Sequence, residues 1–217
     1  MNPQAERIHA ALPQTQCTRC GYPDCGAYAQ AIAEGEAPIN QCPPGGAEGI
    51  ARLAAITGQQ PAQLNPANGV EGPRTLAVID ENWCIGCTLC MDVCPTDAIL
   101  GTHKRMHTVI EPYCTGCELC VPVCPVDCIS LENVTGSRTG WDAWSQRQAD
   151  EALARYEWRK VRIARETRER EERLEAKAKE KLDSLPQLTK NAEGAEIDRK
   201  RAVIEAALAR ARAKRGV

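Results

Sequence analysis

The sequence has no phenylalanine, and aromatic residues make up only 4% of its 217 positions. Long runs of Val, Leu or Ile are also missing before residue 141, so the first part of the chain has little with which to build a large apolar core. A fold of that kind needs another cross-link, either disulfide or metal. No window approaches the roughly 18 uncharged apolar residues of a membrane-crossing helix. The opening segment MNPQAERIHAALPQTQC lacks the basic-then-apolar pattern of a secretory signal. Together these absences predict a cytoplasmic chain, dissolved or at most peripheral to a membrane, in a compartment where thiols stay reduced.

What the sequence does have is 13 cysteines. In a reducing compartment, closely spaced cysteines read as metal ligands rather than disulfides. Charge is divided along the chain. Residues 1–136 carry 6 Lys and Arg against 14 Asp and Glu, a balance of −8, whereas residues 137–217 carry 21 against 15, a balance of +6. An acidic cysteine-rich body joined to a basic tail implies two surfaces that meet two kinds of partner.

The composition divides the chain into four parts. Residues 1–57 read as a small helical unit, with Ala-rich stretches at 5–12, 27–33 and 47–56 separated by Gly and Pro. Residues 58–73, GQQPAQLNPANGVEGP, form a linker rich in Gly, Pro, Asn and Gln. Residues 74–136 contain an internal repeat at an offset of 30, in which DENWCIGCTLCMDVCPTDAILG aligns with IEPYCTGCELCVPVCPVDCISL. Two copies of one supersecondary unit are expected to pack about a pseudo-twofold axis, each covering the other's open face. Residues 137–217 form a charged extension, with one helix expected over 146–182 and a second over 195–214. Pairs such as Glu166 with Arg170, Glu169 with Arg173 and Glu175 with Lys179 are expected to support the first helix. Residues 164–173 show no apolar stripe, and SLPQLTKNAEG is expected to interrupt the helices. The whole predicts an α+β protein: a small helical four-cysteine domain, a repeat domain with short strands, and a helical extension.

The repeat carries C-x2-C-x2-C-x3-C-P twice, as Cys84, Cys87, Cys90, Cys94 with Pro95 and as Cys114, Cys117, Cys120, Cys124 with Pro125. Four iron corners of a cubane must be met by thiolates from different directions, and two-residue spacers let a tight loop wrap three of them. Gly86 and Gly116 suit the tight turns of such a loop. The run resembles that of bacterial two-cluster ferredoxins, where the fourth ligand comes from the other repeat. That likeness implies one [4Fe-4S] cluster on Cys84, Cys87, Cys90 and Cys124, and another on Cys114, Cys117, Cys120 and Cys94. Zinc more often takes two separated C-x2-C pairs.

Cys17, Cys20, Cys25 and Cys42 form a third set, spaced C-x2-C-x4-C-x16-C, which by itself suits either zinc or a cluster. Cys128, the thirteenth cysteine, is expected to be a small buried filler beside a cluster. His103 and His107 are expected to be satisfied loop or strand residues. Trp83 and Tyr113 each precede a first ligand and are expected to shield the clusters from water. The basic residues Arg199, Lys200, Arg201, Arg210, Arg212, Lys214 and Arg215 lie without interleaved aromatics or a motif, which argues against nucleic acid as a partner. A solvated basic helix, or one that meets an anionic membrane surface or acidic protein, fits them better.

The order of CTRCGYPDC, INQCPPGG, a linker, AVIDENWCIGCTLC and KRMHTVIEPYCTGCELCVPVCPVDCISL, over roughly residues 10–135, resembles the B subunit of the Rnf/Rsx electron transport complex. The resemblance implies that Cys17, Cys20, Cys25 and Cys42 ligate a [4Fe-4S] cluster, bringing the total to three. It also implies an electron carrier rather than a stand-alone enzyme, with redox proteins and other complex subunits as partners, at the cytoplasmic face of the inner membrane. Two features depart from that family's pattern: the expected hydrophobic N-terminal anchor is not seen, and a long charged extension follows residue 141. A soluble ferredoxin serving another acceptor is the alternative these departures admit, and a metal-braced protein whose basic helices bind nucleic acid or a partner is the alternative of a different class.

Overall fold

The computed structural model describes residues 2–185 and 194–215. Residues 1–159 form one compact unit and residues 160–217 a second. Most of the interruption expected at SLPQLTKNAEG lies outside the described residues.

The first unit opens with α1 (Pro3–Ala10), α2 (Cys25–Ala33) and α3 (Gly46–Thr57). Their starts follow from capping chemistry. Asn2 Oδ1 accepts the Ala5 N–H at 2.7 Å ahead of Pro3, and Asp24 Oδ1 accepts the Ala27 N–H at 2.7 Å. α3 has no cap of its own, and Glu71 from the linker takes that role by accepting the Ala47 N–H at 2.8 Å. Ile8, Leu12, Tyr28, Ile32, Ile39, Ile50 and Leu53 are the buried centre of these helices. The Tyr28 hydroxyl donates to the Pro38 carbonyl at 2.7 Å and accepts the Gln41 N–H at 3.0 Å, which holds the loop leading to Cys42.

The linker is tied down at several points. Leu64 packs against the helical core, Asn40 Nδ2 donates to the Gln63 carbonyl at 2.7 Å, and Asn68 Nδ2 donates to the Arg19 carbonyl at 2.9 Å. It contains one short 3-10 turn, Pro66–Asn68.

The repeat then forms two small antiparallel sheets. β1 (Thr75–Ile79) pairs with β4 (Ile129–Asn133), and β2 (Ile99–Leu100) pairs with β3 (Thr108–Val109). The pairing register obeys the repeat: Ile79 faces Ile129, and the pair displaced by 30, Val109 and Ile99, faces in the other sheet. Each repeat therefore lends a strand to the other, as a pseudo-twofold exchange requires. Between β1 and β2 lies the short α4 (Leu89–Val93), and the 3-10 turn Glu111–Tyr113 follows β3. The core here is made of Ala77, Ile79, Ala98, Ile99 and Ile129 together with buried cysteines, so the thiols themselves occupy the place of an apolar interior.

After the sheets come α5 (Gly140–Ala143) and the long α6 (Gln146–Asp183). Trp141, Trp144, Ala149 and Ala152 form a third buried cluster in the first unit. In the second unit, α7 (Gly194–Arg215) pairs with the later part of α6, where Arg212 Nη2 lies 2.8 Å from Glu175 Oε1. Ile197, Ile204 and Leu208 are half-buried, whereas Ala211 is exposed. Glu175 pairs with Lys179 at 3.2 Å as expected, but Glu166 and Glu169 pair backward, with Arg162 at 2.8 Å and Arg165 at 3.8 Å.

Candidate metal centres

Each cysteine loop is shaped by backbone that only certain residues adopt. Gly86 has φ +67° and Gly116 φ +68°, and a Cβ would collide with the Arg105 backbone in the first case and lie 2.6 Å from the Thr75 oxygen in the second. Both repeats carry the same left-handed positions two and eleven residues later: Thr88 (φ 70°) matches Glu118 (φ 66°), and Asp97 matches Asp127 (both φ 49°). The left-handed region is costly for residues with a side chain. Its recurrence at equivalent positions shows one loop conformation built twice.

The structure brings Cys17, Cys20, Cys25 and Cys42 together. Burial pushes the Cys42 thiol well above its ordinary range, and the neighbouring charges of Cys25, Cys17 and Cys20 add to the effect. Cys25 is raised in the same way, first by burial, while the Gln16 side chain accepts its N–H at 2.8 Å. Cys94, Cys114, Cys117 and Cys120 form another group. Cys120 is pushed up to about 12 by burial and by the charges of Cys117, Cys114 and Cys94, and Cys117 reaches about 12 through burial and the charges of Cys94 and Cys114. Cys84, Cys87 and Cys90 make the third, with Cys90 raised to about 11 by burial and then by Cys87 and Cys84. Cys124 lies beside Cys128, whose thiol feels both Cys124 and Cys84.

Backbone N–H groups are aimed at sulfur. Ala98 N–H donates to Cys94 Sγ at 3.2 Å, and its repeat equivalent, Cys128 N–H, donates to Cys124 Sγ at 3.4 Å. His107 N–H donates to Cys84 Sγ at 3.4 Å. The Cys124 thiol is held below its ordinary range: burial opposes this, but hydrogen bonds from Val126 and Cys128 outweigh it. Such donors stabilise negative charge on sulfur. Closely set cysteines, largely buried, shaped by glycine turns and supplied with amide donors, fit thiolate-ligated iron-sulfur clusters. Among the described residues, no three His, Cys, Asp or Glu side chains are grouped as a shell for a single metal ion.

Cys128 is buried with its Sγ 3.4 Å from Cys124 Sγ, as a filler beside the site would be. His107 differs from its expected satisfied role. Its ring is buried, Nδ1 lies 3.5 Å from Cys90 Sγ, and among the described residues Nε2 has no partner. His103 is exposed. Trp83 does not shield a centre, because it stands 69% exposed. Tyr113 is exposed, with the Arg155 guanidinium 3.0 Å from its ring centre. Thr96 went unread in the sequence, yet its hydroxyl donates to the Tyr113 carbonyl at 2.7 Å, 3.9 Å from Cys94 Sγ.

Comparison with known families agrees with this chemistry. A family model described as "4Fe-4S dicluster domain" matches residues 77–131, and one described as "Putative Fe-S cluster" matches residues 12–44. The chain is 59% identical over 140 residues to the B subunit of the ion-translocating oxidoreductase complex of Azoarcus sp. (strain BH72), a match covering 64% of this chain and 76% of that protein. It is 52% identical over 153 residues to the protein of the same name from Alkalilimnicola ehrlichii, covering 70% of this chain and 81% of that one. The match to the Thiobacillus denitrificans protein is 59% over 109 residues, 50% of this chain and 58% of that protein.

Proposed function

Because the chain belongs to the family of B subunits of ion-translocating oxidoreductase complexes, we propose that it passes single electrons through three [4Fe-4S] clusters to and from neighbouring subunits of such a complex. Cys17, Cys20, Cys25 and Cys42 hold the first cluster within a helical domain of residues 1–57. Cys84, Cys87, Cys90 and Cys124 hold the second, and Cys94, Cys114, Cys117 and Cys120 the third, within a ferredoxin domain of residues 74–136. The observation that carries this reading is the mutual electrostatic influence of the thiols within the Cys17, Cys20, Cys25, Cys42 set and within the Cys94, Cys114, Cys117, Cys120 set, beside amide donors aimed at sulfur.

When bound, each cluster supplies a one-electron couple. The residues around it set its potential and its access to water. Burial of the cysteines excludes solvent, and the Ala98, His107 and Cys128 N–H groups oppose the build-up of negative charge on the sulfurs they face. In the metal-free protein, burial keeps most of the shifted thiols protonated at neutral pH, so loading must expel their protons. The acidic balance of residues 1–136 favours a basic docking face on the partner, an attraction that weakens as salt rises. Among the described residues no helix is long and apolar enough to cross a membrane.

The test is iron and acid-labile sulfide analysis of protein purified without oxygen. Roughly twelve irons per chain are expected, with visible absorption that bleaches on reduction. A folded protein holding zinc, or no metal, would overturn the proposal. Membrane fractionation with and without the other subunits then tests assembly into a complex.

A further inference from the structure

The carrier reading leaves unexplained why the chain continues through two buried tryptophans after the last strand. Residues 140–159 touch both cysteine-bearing parts of the first unit. On the helical side, Trp144 Nε1 donates to the Pro13 carbonyl at 2.8 Å and Gln146 Nε2 to the Ala10 carbonyl at 3.2 Å. The Arg52 guanidinium lies 3.7 Å from the centre of the Trp141 ring, and the Tyr156 hydroxyl donates to Asp24 Oδ2 at 3.0 Å. On the ferredoxin side, Arg74 lies 4.8 Å over Trp144 and Arg155 lies 3.0 Å over Tyr113. Arg159 Nε is 3.4 Å from Asp97 Oδ1, and its Nη2 donates to the Asp92 carbonyl.

These anchors sit next to cysteines. Asp24 precedes Cys25, Tyr113 precedes Cys114, and Asp92 and Asp97 lie on either side of Cys94. Trp141 and Trp144 are 8% and 5% exposed, and the Arg159 side chain is only 14% exposed, unusual for an arginine on a solvated helix. Direct polar contact between the two parts is sparse by comparison. It includes Thr115 Oγ1 donating to the Thr15 carbonyl at 3.1 Å and an Arg19–Glu118 ion pair at 2.7 Å. Two domains joined by a linker move relative to one another unless a sizeable apolar interface holds them.

We propose that residues 140–159 are an intramolecular clamp that holds the helical four-cysteine domain on the ferredoxin domain, and so fixes the distance an electron crosses between the Cys17, Cys20, Cys25, Cys42 set and the Cys94, Cys114, Cys117, Cys120 set. This rests on the carrier reading. Trp141 and Trp144 supply the apolar bond, while Tyr156, Arg155 and Arg159 pin the first turns of α6 to segments that flank the cysteines. All five are positioning residues, acting on the segments beside the cysteines.

The test uses the full-length protein, loaded without oxygen, in two variants: W141A/W144A and R155A/R159A. Amide hydrogen exchange reads the junction, and the spin–spin interaction between reduced clusters in electron paramagnetic resonance reads their separation. With iron content held at the parental level, each variant is expected to exchange about tenfold faster over residues 13–19 and 113–118, with a weaker spin–spin interaction. Should W141A/W144A fail to fold, R155A/R159A decides, because it leaves the buried tryptophans in place. Parental exchange and spin coupling in R155A/R159A would overturn the clamp. If the parent binds no iron, the carrier reading falls, while the exchange measurement still reads the clamp.

Discussion

Thr115 Oγ1 donates to the carbonyl of Thr15 at 3.1 Å, joining two residues a hundred positions apart, one beside Cys114 and the other two residues from Cys17. Thr115→Val keeps the shape and removes the donor, leaving the Thr15 carbonyl buried without this partner. The expected cost is about 1–3 kcal/mol, read as a lower denaturant midpoint of the loaded protein, with Thr115→Ser restoring most of it. Equal midpoints for the valine and serine variants would show that the bond contributes nothing.

Gly86 and Gly116 test the cysteine loops independently of the cysteines. Each has a positive φ, and a Cβ at either would press on backbone rather than on a yielding side chain. Gly86→Ala and Gly116→Ala are each expected to strain their loop by about 1–3 kcal/mol and to lower iron retention by roughly four atoms per chain. Elemental analysis after gel filtration checks this. Full iron in both variants would mean that the loops tolerate a side chain.

Cys124 and Cys128 lie 3.4 Å apart through sulfur, yet only Cys124 accepts the amide of residue 128 and has its thiol lowered. Cys128 is instead raised to about 12, first by burial and then by its contact with Cys124. Cys128→Ala is therefore expected to keep all the iron, and Cys124→Ala to lose about four atoms per chain. The reverse result, iron lost only from the Cys128 variant, would move the ligand assignment to Cys128.

The repeat was legible because its spacing is dictated by the group it surrounds: glycine, cysteine and proline recur at an offset of 30, and the strands pair in matching register at Ile79 with Ile129 and Ile99 with Val109. The three helices of the first domain were legible as Ala-rich stretches between Gly and Pro. Shielding by Trp83 was misread, since a position next to a ligand does not fix the direction of its side chain. Nor did the clamp show itself. Residues 164–173 are polar all round and fit the expected solvated helix, but Ala149 and Ala152, earlier in the same helix, are buried on a face too short to stand out as a stripe. The groups that meet Trp141 and Trp144, which are the Pro13 carbonyl and the Arg52 and Arg74 guanidiniums, belong to segments more than 60 residues away, and no local pattern encodes a partner at that range.

Tyr156 gives the clamp a pH dependence. Its hydroxyl is pushed up to about 12, first by burial and then by the bond to Asp24, from an ordinary value of 10. A folded value above the unfolded one means that the contribution is whole below about pH 10 and is lost as the pH climbs from there toward 12. The difference in denaturant midpoint between the parent and Tyr156→Phe is expected to be larger at pH 8 than at pH 11. A gap that stays constant or widens would show that the Asp24 bond does not govern this tyrosine.

His107 has no counterpart in the other repeat, where Ala77 holds the equivalent position as Ile79 matches Val109, so the two ferredoxin sites are not electrically alike. Its Nδ1 lies 3.5 Å from Cys90 Sγ, and a thiolate there can only accept, which makes the ring the donor. A donor to a ligand sulfur stabilises the more negative, reduced state and raises the potential. Loss of the ring in His107→Leu is therefore expected to shift one potential downward and leave the others in place, as read by spectroelectrochemical titration. Gly101→Ala provides a second approach, because its Cβ would collide with the His107 ring and must displace it, giving a shift of the same sign. If neither variant moves any potential, the histidine only fills space, and the difference between the two sites must come from elsewhere in the repeat.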